Sequence, residues 1–190
     1  MTMRAAALAV VLVLVARCAH HAVPHMKAWA VPGQPGLKVA FVERPPAGAA
    51  YGRQLIAVRA GGQVLHESAR LYDADFVVPK FFEVAGRTLM LADYGSEDNW
   101  GVIAWSFEQG TVRDLGMLEI ALSEEDGGFT GGAAAAARVD VVDGVYVITI
   151  PGPVLFDPRG RNERLLAKEG EVVTFREVAA KLVLDSDFRP

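Results

Sequence analysis

The chain has 190 residues, enough for one domain with a sizeable core, and 52% of them are hydrophobic while 22% are charged. Its 19 basic and 23 acidic residues are interspersed and give a formal net charge of −4, which argues against a cationic face for nucleic acid. The only cysteine, Cys18, precedes the predicted domain, so an internal disulfide, a thiolate zinc site and a cysteine nucleophile are excluded there.

Residues 1–22 have the features of a secretory signal. Met1–Arg4 is a short positive segment, and Ala5–Ala16 is an unbroken apolar run. This run is shorter than the roughly 20 residues that a transmembrane helix needs. The sequence therefore predicts export to the periplasm or the medium.

Two processing routes follow from the end of this segment. Val15-Ala16-Arg17-Cys18 resembles a lipobox, the bacterial lipoprotein signal, although Arg17 stands where that pattern has a small residue. The resemblance implies lipidation of Cys18, which would tether the protein to the outer membrane and provide its sole membrane contact. Cleavage after Cys18 would instead expose Ala19-His20-His21, which resembles the amino-terminal motif that binds Cu(II) or Ni(II) in a square plane.

Residues 23–36 are rich in proline and glycine and are predicted to be a linker, so a single domain is expected over 37–190. Within it, short β-branched and aromatic runs alternate with turn dipeptides. The clearest hairpin turns are Gly61-Gly62, Gly86-Arg87 and Asp143-Gly144. Residues 123–137 are predicted to be a loop despite five consecutive alanines, because two glycines precede them.

The segment 172–187 fits either two strands or a helix, and two strands are the favoured interpretation. Tight turns without intervening long helices predict an all-β domain, an antiparallel meander that forms a sandwich or a barrel-like structure behind the cleaved signal.

Catalytic groups are scarce in this predicted domain. His66 is the only histidine after residue 25, and Ser68 two residues on lies in no nucleophile elbow, so a packed or solvated histidine is the favoured interpretation. No cofactor motif occurs.

The most polar loop contains the candidate ligand-binding residues Asp93, Tyr94, Glu97, Asp98, Asn99 and Trp100. Its carboxylates would suit a glycosidase-like acid and base, or Ca²⁺, but a plain solvated turn is the favoured interpretation. Trp100 and Trp105 are an odd number of residues apart, so they should face opposite sides of a strand, one of them in the core.

These observations favour an exported, non-catalytic envelope protein that binds a partner protein, a glycan or another ligand through loops of a β-domain. A carboxylate-based hydrolase is the first alternative. A metal-handling protein that uses His20 and His21 is the second.

Overall fold

The computed structural model describes residues 25–44, 52–71, 74–95, 100–123, 129–130, 132–158 and 160–185. These residues form four antiparallel sheets of four strands each and one short helix. The sheets pack face to face in a sandwich-like arrangement, so the all-β antiparallel prediction is confirmed. Cys18, His20 and His21 lie outside the described residues.

The first two sheets are simple meanders, in which each strand pairs with the next one along the chain. The first sheet contains β1 (His25–Ala30), β2 (Leu37–Arg44), β3 (Gly52–Arg59) and β4 (Val64–Glu67). The second sheet contains β5 (Phe76–Val84), β6 (Arg87–Gly95), β7 (Trp100–Glu108) and β8 (Thr111–Leu118). Pro79 lies in β5, an outer strand of its sheet, where a residue without an N–H is tolerated.

The other two sheets interleave along the chain. The third has the order β10 (Phe129–Thr130), β9 (Ile120–Ser123), β13 (Val154–Phe156) and β14 (Arg164–Ala167). The fourth has the order β11 (Arg138–Val142), β12 (Val145–Pro151), β15 (Val172–Val178) and β16 (Lys181–Leu184). The helix α1 (Ala133–Ala136) lies between β10 and β11.

The second sheet is the middle layer of the fold. One of its faces, with Met90 and Trp105, packs against the first sheet, and the opposite face, with Leu89 and Leu91, packs against the third and fourth sheets. Both faces of β6 are therefore buried, which explains why its sequence reads as a nearly continuous apolar run without alternation.

The Asp143-Gly144 hairpin forms as predicted, with φ of 52° and 80° at the two residues between the paired Val142 and Val145. The turn between β5 and β6 lies at Ala85-Gly86, one residue before the predicted Gly86-Arg87, because Arg87 already pairs with Val84. Gly61 and Gly62 have the positive φ angles that were predicted, but their loop also includes Ala60, since the N–H of Arg59 donates to the carbonyl of Gln63. The segment 172–187 contains the strands β15 and β16, which confirms the two-strand interpretation.

Other local features also differ from the expectations, among them the strand β10, which lies within the predicted loop 123–137. The predicted linker contains β1, which pairs with β2 alone among the described strands and thus tolerates the flanking prolines as an outer strand. Four of the consecutive alanines form α1 rather than a loop, because a buried side chain binds its first turn. The strand β14 was not predicted, because it follows a stretch that contains proline and glycine and carries no strand signal.

Candidate functional site

The predicted acidic site lies where β6 ends and β7 begins. Asp93 and Tyr94 belong to the end of β6, and Trp100 is the first residue of β7. Glu97, Asp98 and Asn99 lie outside the described residues. The role of these residues in ligand binding stays a prediction.

Asp93 is a buried carboxylate that binds the helix α1. It is 5% exposed, and its Oδ1 accepts a hydrogen bond from the backbone N–H of Ala134 at 3.0 Å. Burial raises the pKa of Asp93 above its usual value, and the backbone hydrogen bonds from Ala134 and its neighbours oppose that rise. Because Gly132 offers no side chain to cap the helix, Asp93 supplies the missing acceptor from a different strand.

Tyr94 points to the opposite face of β6, into the core between the first and second sheets. It is 2% exposed, and its hydroxyl donates to Met117 Sδ at 2.7 Å. Burial, helped by the negative charge of Glu119, raises the pKa of Tyr94 to about 12. Gly101 allows this packing, since a Cβ there would stand 2.6 Å from the Tyr94 hydroxyl. The side chains of Asp93 and Tyr94 therefore lie on opposite faces of β6 and do not share a site.

The tryptophans divide as their odd spacing predicts. Trp105 is fully buried, and the ring of His66 packs edge-on against it with 4.8 Å between centroids. Trp100 is half-buried and packs against Phe76, with 5.4 Å between centroids. Of the two, Trp100 is the one that keeps surface for contact with another molecule.

An apolar groove of about 230 Å³ lies where the second, third and fourth sheets meet. Its lining is Met117, Leu118, Glu119, Ile120, Phe156, Arg164, Leu166, Phe175, Leu182 and Leu184. Met117 is 41% and Leu184 is 40% exposed, so apolar surface is open to solvent at the rim. The two charged lining residues carry opposite signs, and the Arg164 guanidinium lies 5.0 Å from the Phe156 ring centroid.

A second, polar pocket of about 260 Å³ lies on the hairpin between β7 and β8. It is lined by Ser106, Glu108, Gln109, Thr111 and Arg113. Ser106 pairs with Arg113 and Glu108 pairs with Thr111 across the hairpin, which places these four side chains on one face.

The polar pocket adjoins an ion pair between the second and fourth sheets. Arg113 Nη1 lies 2.9 Å from Glu177 Oε1, and Glu177 Oε2 accepts from the backbone N–H of Tyr146 at 3.3 Å. Glu177 is 7% exposed, whereas the Arg113 side chain is 39% exposed. Their attraction is accordingly stronger than that of a surface pair and is still partly screened by solvent.

Several polar atoms around this ion pair are buried without a hydrogen-bond partner among the described residues. They are Ser106 Oγ, the Arg113 Nε and Nη2 atoms, and the Tyr146 hydroxyl. A buried polar group without a partner costs about 1–3 kcal/mol, and native proteins leave few of them. These atoms are closed to solvent, so a molecule in the polar pocket does not reach them in this structure.

The groove and the polar pocket were not predicted from the sequence. The groove is built from residues far apart in the chain, and no local pattern marks it. The polar pocket has one signal in the sequence, because Ser106 and Arg113 are polar residues at inward-facing positions of the β7–β8 hairpin, next to Ala104 and Leu115. Polar residues at inward strand positions are a reason to look for a partner.

The described residues include no group of three side chains suited to hold a metal ion. Nor does any helix among them have the length and apolarity to cross a bilayer. No protein-family model matches the chain, and no curated protein or solved structure matches it either.

Proposed function

We propose that this protein is an exported, non-catalytic binding domain that takes an extended segment of a partner protein at the apolar groove. The observation that carries the proposal is the groove itself, with exposed Met117 and Leu184 at its rim. Its volume of about 230 Å³ is below the ~300 Å³ lower end for pockets of drug-sized ligands, so it fits a single apolar side chain.

The strands around the groove favour an extended partner. Both β14 and β16 pair on one side only among the described strands, and both contribute lining residues. An outer strand offers unpaired backbone groups to a peptide that adds to the sheet, while a side-chain pocket beside it provides specificity.

The charges at the groove would orient the partner. Arg164 and Glu119 are exposed, and they contribute opposite signs to the lining. An acidic residue of the partner would favour Arg164, and a basic residue would favour Glu119. A segment with an apolar residue flanked by one charge of each sign therefore complements this surface.

Selection of random peptides displayed on phage tests this function. The immobilised protein should enrich peptides with a large apolar residue, and their synthetic forms should bind in calorimetry. Leu184→Glu places a charge at the rim and is expected to weaken binding by about tenfold or more. Because Leu184 is 40% exposed, the substitution should leave the fold intact.

The matched control is Val64→Glu, since Val64 is 43% exposed on β4 in the first sheet, away from the groove. Its peptide affinity should equal that of the unmodified protein. The proposal is wrong if no peptide is enriched, or if the selected peptides bind the Leu184→Glu variant as well as they bind the parent.

The compartment is part of the same proposal. The secretory features of residues 1–22 support export to the periplasm or the medium, and Cys18 would carry a lipid anchor if the lipobox-like sequence is used. The partner would then be an envelope protein or an extracellular one. The hydrolase hypothesis stays a prediction, and its carboxylate Asp93 binds backbone N–H groups. The metal-handling hypothesis also stays a prediction, because His20 and His21 lie outside the described residues.

A further inference from the structure

We infer that the outer strand β11 is a docking surface for a second copy of this chain, whose own β11 pairs with it antiparallel and symmetrically around Val139. Among the described strands β11 pairs with β12 alone, so its other side is an open sheet edge. The nearby strand β5 belongs to the second sheet and forms no ladder with it. Because β11 contributes no lining residue to the apolar groove, this surface is separate from the peptide site.

The edge of β11 is regular, whereas several other outer strands are not. The ladders of β1, β4 and β8 each contain a shift of register, and β5 contains Pro79. Bulges and prolines on outer strands hinder the addition of a foreign strand. By contrast, β11 pairs with β12 residue for residue from Arg138 to Val142 and contains no proline. Its backbone is therefore suited to receive another strand.

The backbone groups of Val139 and Val141 face this open edge. The turn at Asp143-Gly144 makes the two residues that flank it a hydrogen-bonded pair, and such pairs alternate along an antiparallel ladder. Val141 and Val139 therefore direct their N–H and C=O groups away from β12. In agreement, the N–H of Tyr146, which lies opposite Val141, donates to Glu177 on the far side of β12.

The charges on β11 select the register of the pairing. Arg138 and Asp140 are both exposed and lie on the same face of the strand. When Val139 lies opposite its own copy, each Arg138 lies opposite Asp140 of the other copy, so two attractive pairs form. A register centred on Asp140 would also use the outward backbone groups, but it would place two carboxylates directly opposite each other. The charge pattern thus complements an antiparallel second copy.

This dimer would carry two apolar grooves. The groove-lining strand β16 is at the opposite end of the fourth sheet from β11, so pairing through β11 leaves the groove of each copy open. Two linked grooves would bind a partner that repeats the target segment more tightly than one groove does. This consequence rests on the proposed function, whereas the pairing itself does not.

Sedimentation equilibrium of the mature chain from micromolar to millimolar concentration tests the pairing. The apparent mass should rise with concentration from that of the monomer toward twice that value. Arg138→Asp and Asp140→Arg each place like charges opposite each other in both pairs, so each variant alone should self-associate about tenfold or more weakly. An equimolar mixture of the two variants restores both attractive pairs and should associate as tightly as the parent.

The matched control is Lys38→Glu, which reverses an exposed charge on β2 in the first sheet and should leave self-association unchanged. The inference is overturned if the chain stays monomeric at millimolar concentration, if Arg138→Asp associates as tightly as the parent, or if the mixture associates no more tightly than each variant alone. A dimer that Leu184→Glu weakens and Arg138→Asp does not would overturn it as well, because the second copy would then occupy the groove.

Discussion

The buried carboxylate of Asp93 allows a quantitative prediction about the stability of the fold. Asp93→Ala removes the acceptor for the Ala134 N–H and leaves the first turn of α1 without a cap. Loss of a hydrogen bond to a charged group costs about 1.5–3 kcal/mol, and removal of the buried charge returns part of its desolvation cost. We expect a net loss of about 2 kcal/mol, which corresponds to a Tm lower by about 4–8 °C for a domain of this size.

Urea unfolding of the mature chain, followed by tryptophan fluorescence, measures this loss. Asp93→Asn is the matched variant, because its amide oxygen can still accept from Ala134, and we expect it to lose about 1 kcal/mol or less. The structural assignment is refuted if Asp93→Ala unfolds within about 0.5 kcal/mol of the parent, or if the Asn and Ala variants are equally destabilised.

The same residue predicts a pH dependence with a definite sign. Burial raises the folded-state pKa of Asp93 above the 3.8 of an unperturbed aspartate. Below that value the carboxyl is protonated in both the folded and unfolded states. As the pH rises, the unfolded state releases its proton first, so the contribution of Asp93 to stability falls until the pH passes the folded pKa. Asp93→Asn should remove this fall, which unfolding curves between about pH 4 and pH 7 would show.

Two further predictions concern packing and export. Gly101→Ala should destabilise the domain by about 1–3 kcal/mol in the same urea assay, because the new Cβ would meet the Tyr94 hydroxyl and the Leu118 carbonyl; an unchanged midpoint would contradict this packing. Intact mass and N-terminal sequencing of protein from an exporting host test the export signal. We expect a chain that begins at lipidated Cys18 in the membrane fraction or at Ala19 in the soluble fraction. A chain that still begins at Met1 would contradict the export signal.

Features of the fold that depend on local sequence could be predicted. The hairpin at Asp143-Gly144 needs two positive φ angles, and this dipeptide supplies them wherever the flanking runs are apolar. The strands β15 and β16 were predicted for a similar reason, since β-branched residues precede a short turn. Their order in the fourth sheet, where β12 is adjacent to β15, depends on pairing between distant segments and has no local signature.

The side-chain partners in the interior could not be predicted for the same physical reason. Asp93 contacts Ala134, which is 41 residues away in the chain. The local sequence around Asp93 could therefore not identify the helix that Asp93 caps. The ion pair of Arg113 with Glu177 likewise joins the second and fourth sheets. Hydrophobic periodicity indicates which face of a strand is buried, but it does not identify the strand that covers that face.

Two buried polar sites in this interior differ in how their hydrogen-bonding groups are satisfied. Asp93 receives hydrogen bonds from the backbone of α1, so the cost of its burial is partly compensated within the chain. Ser106 and the Nε and Nη2 atoms of Arg113 lie at the same interface without such compensation among the described residues. Alanine at position 106 would provide the same burial without the cost of an unpaired hydroxyl, so we expect Ser106→Ala to leave the stability of the fold unchanged or to raise it.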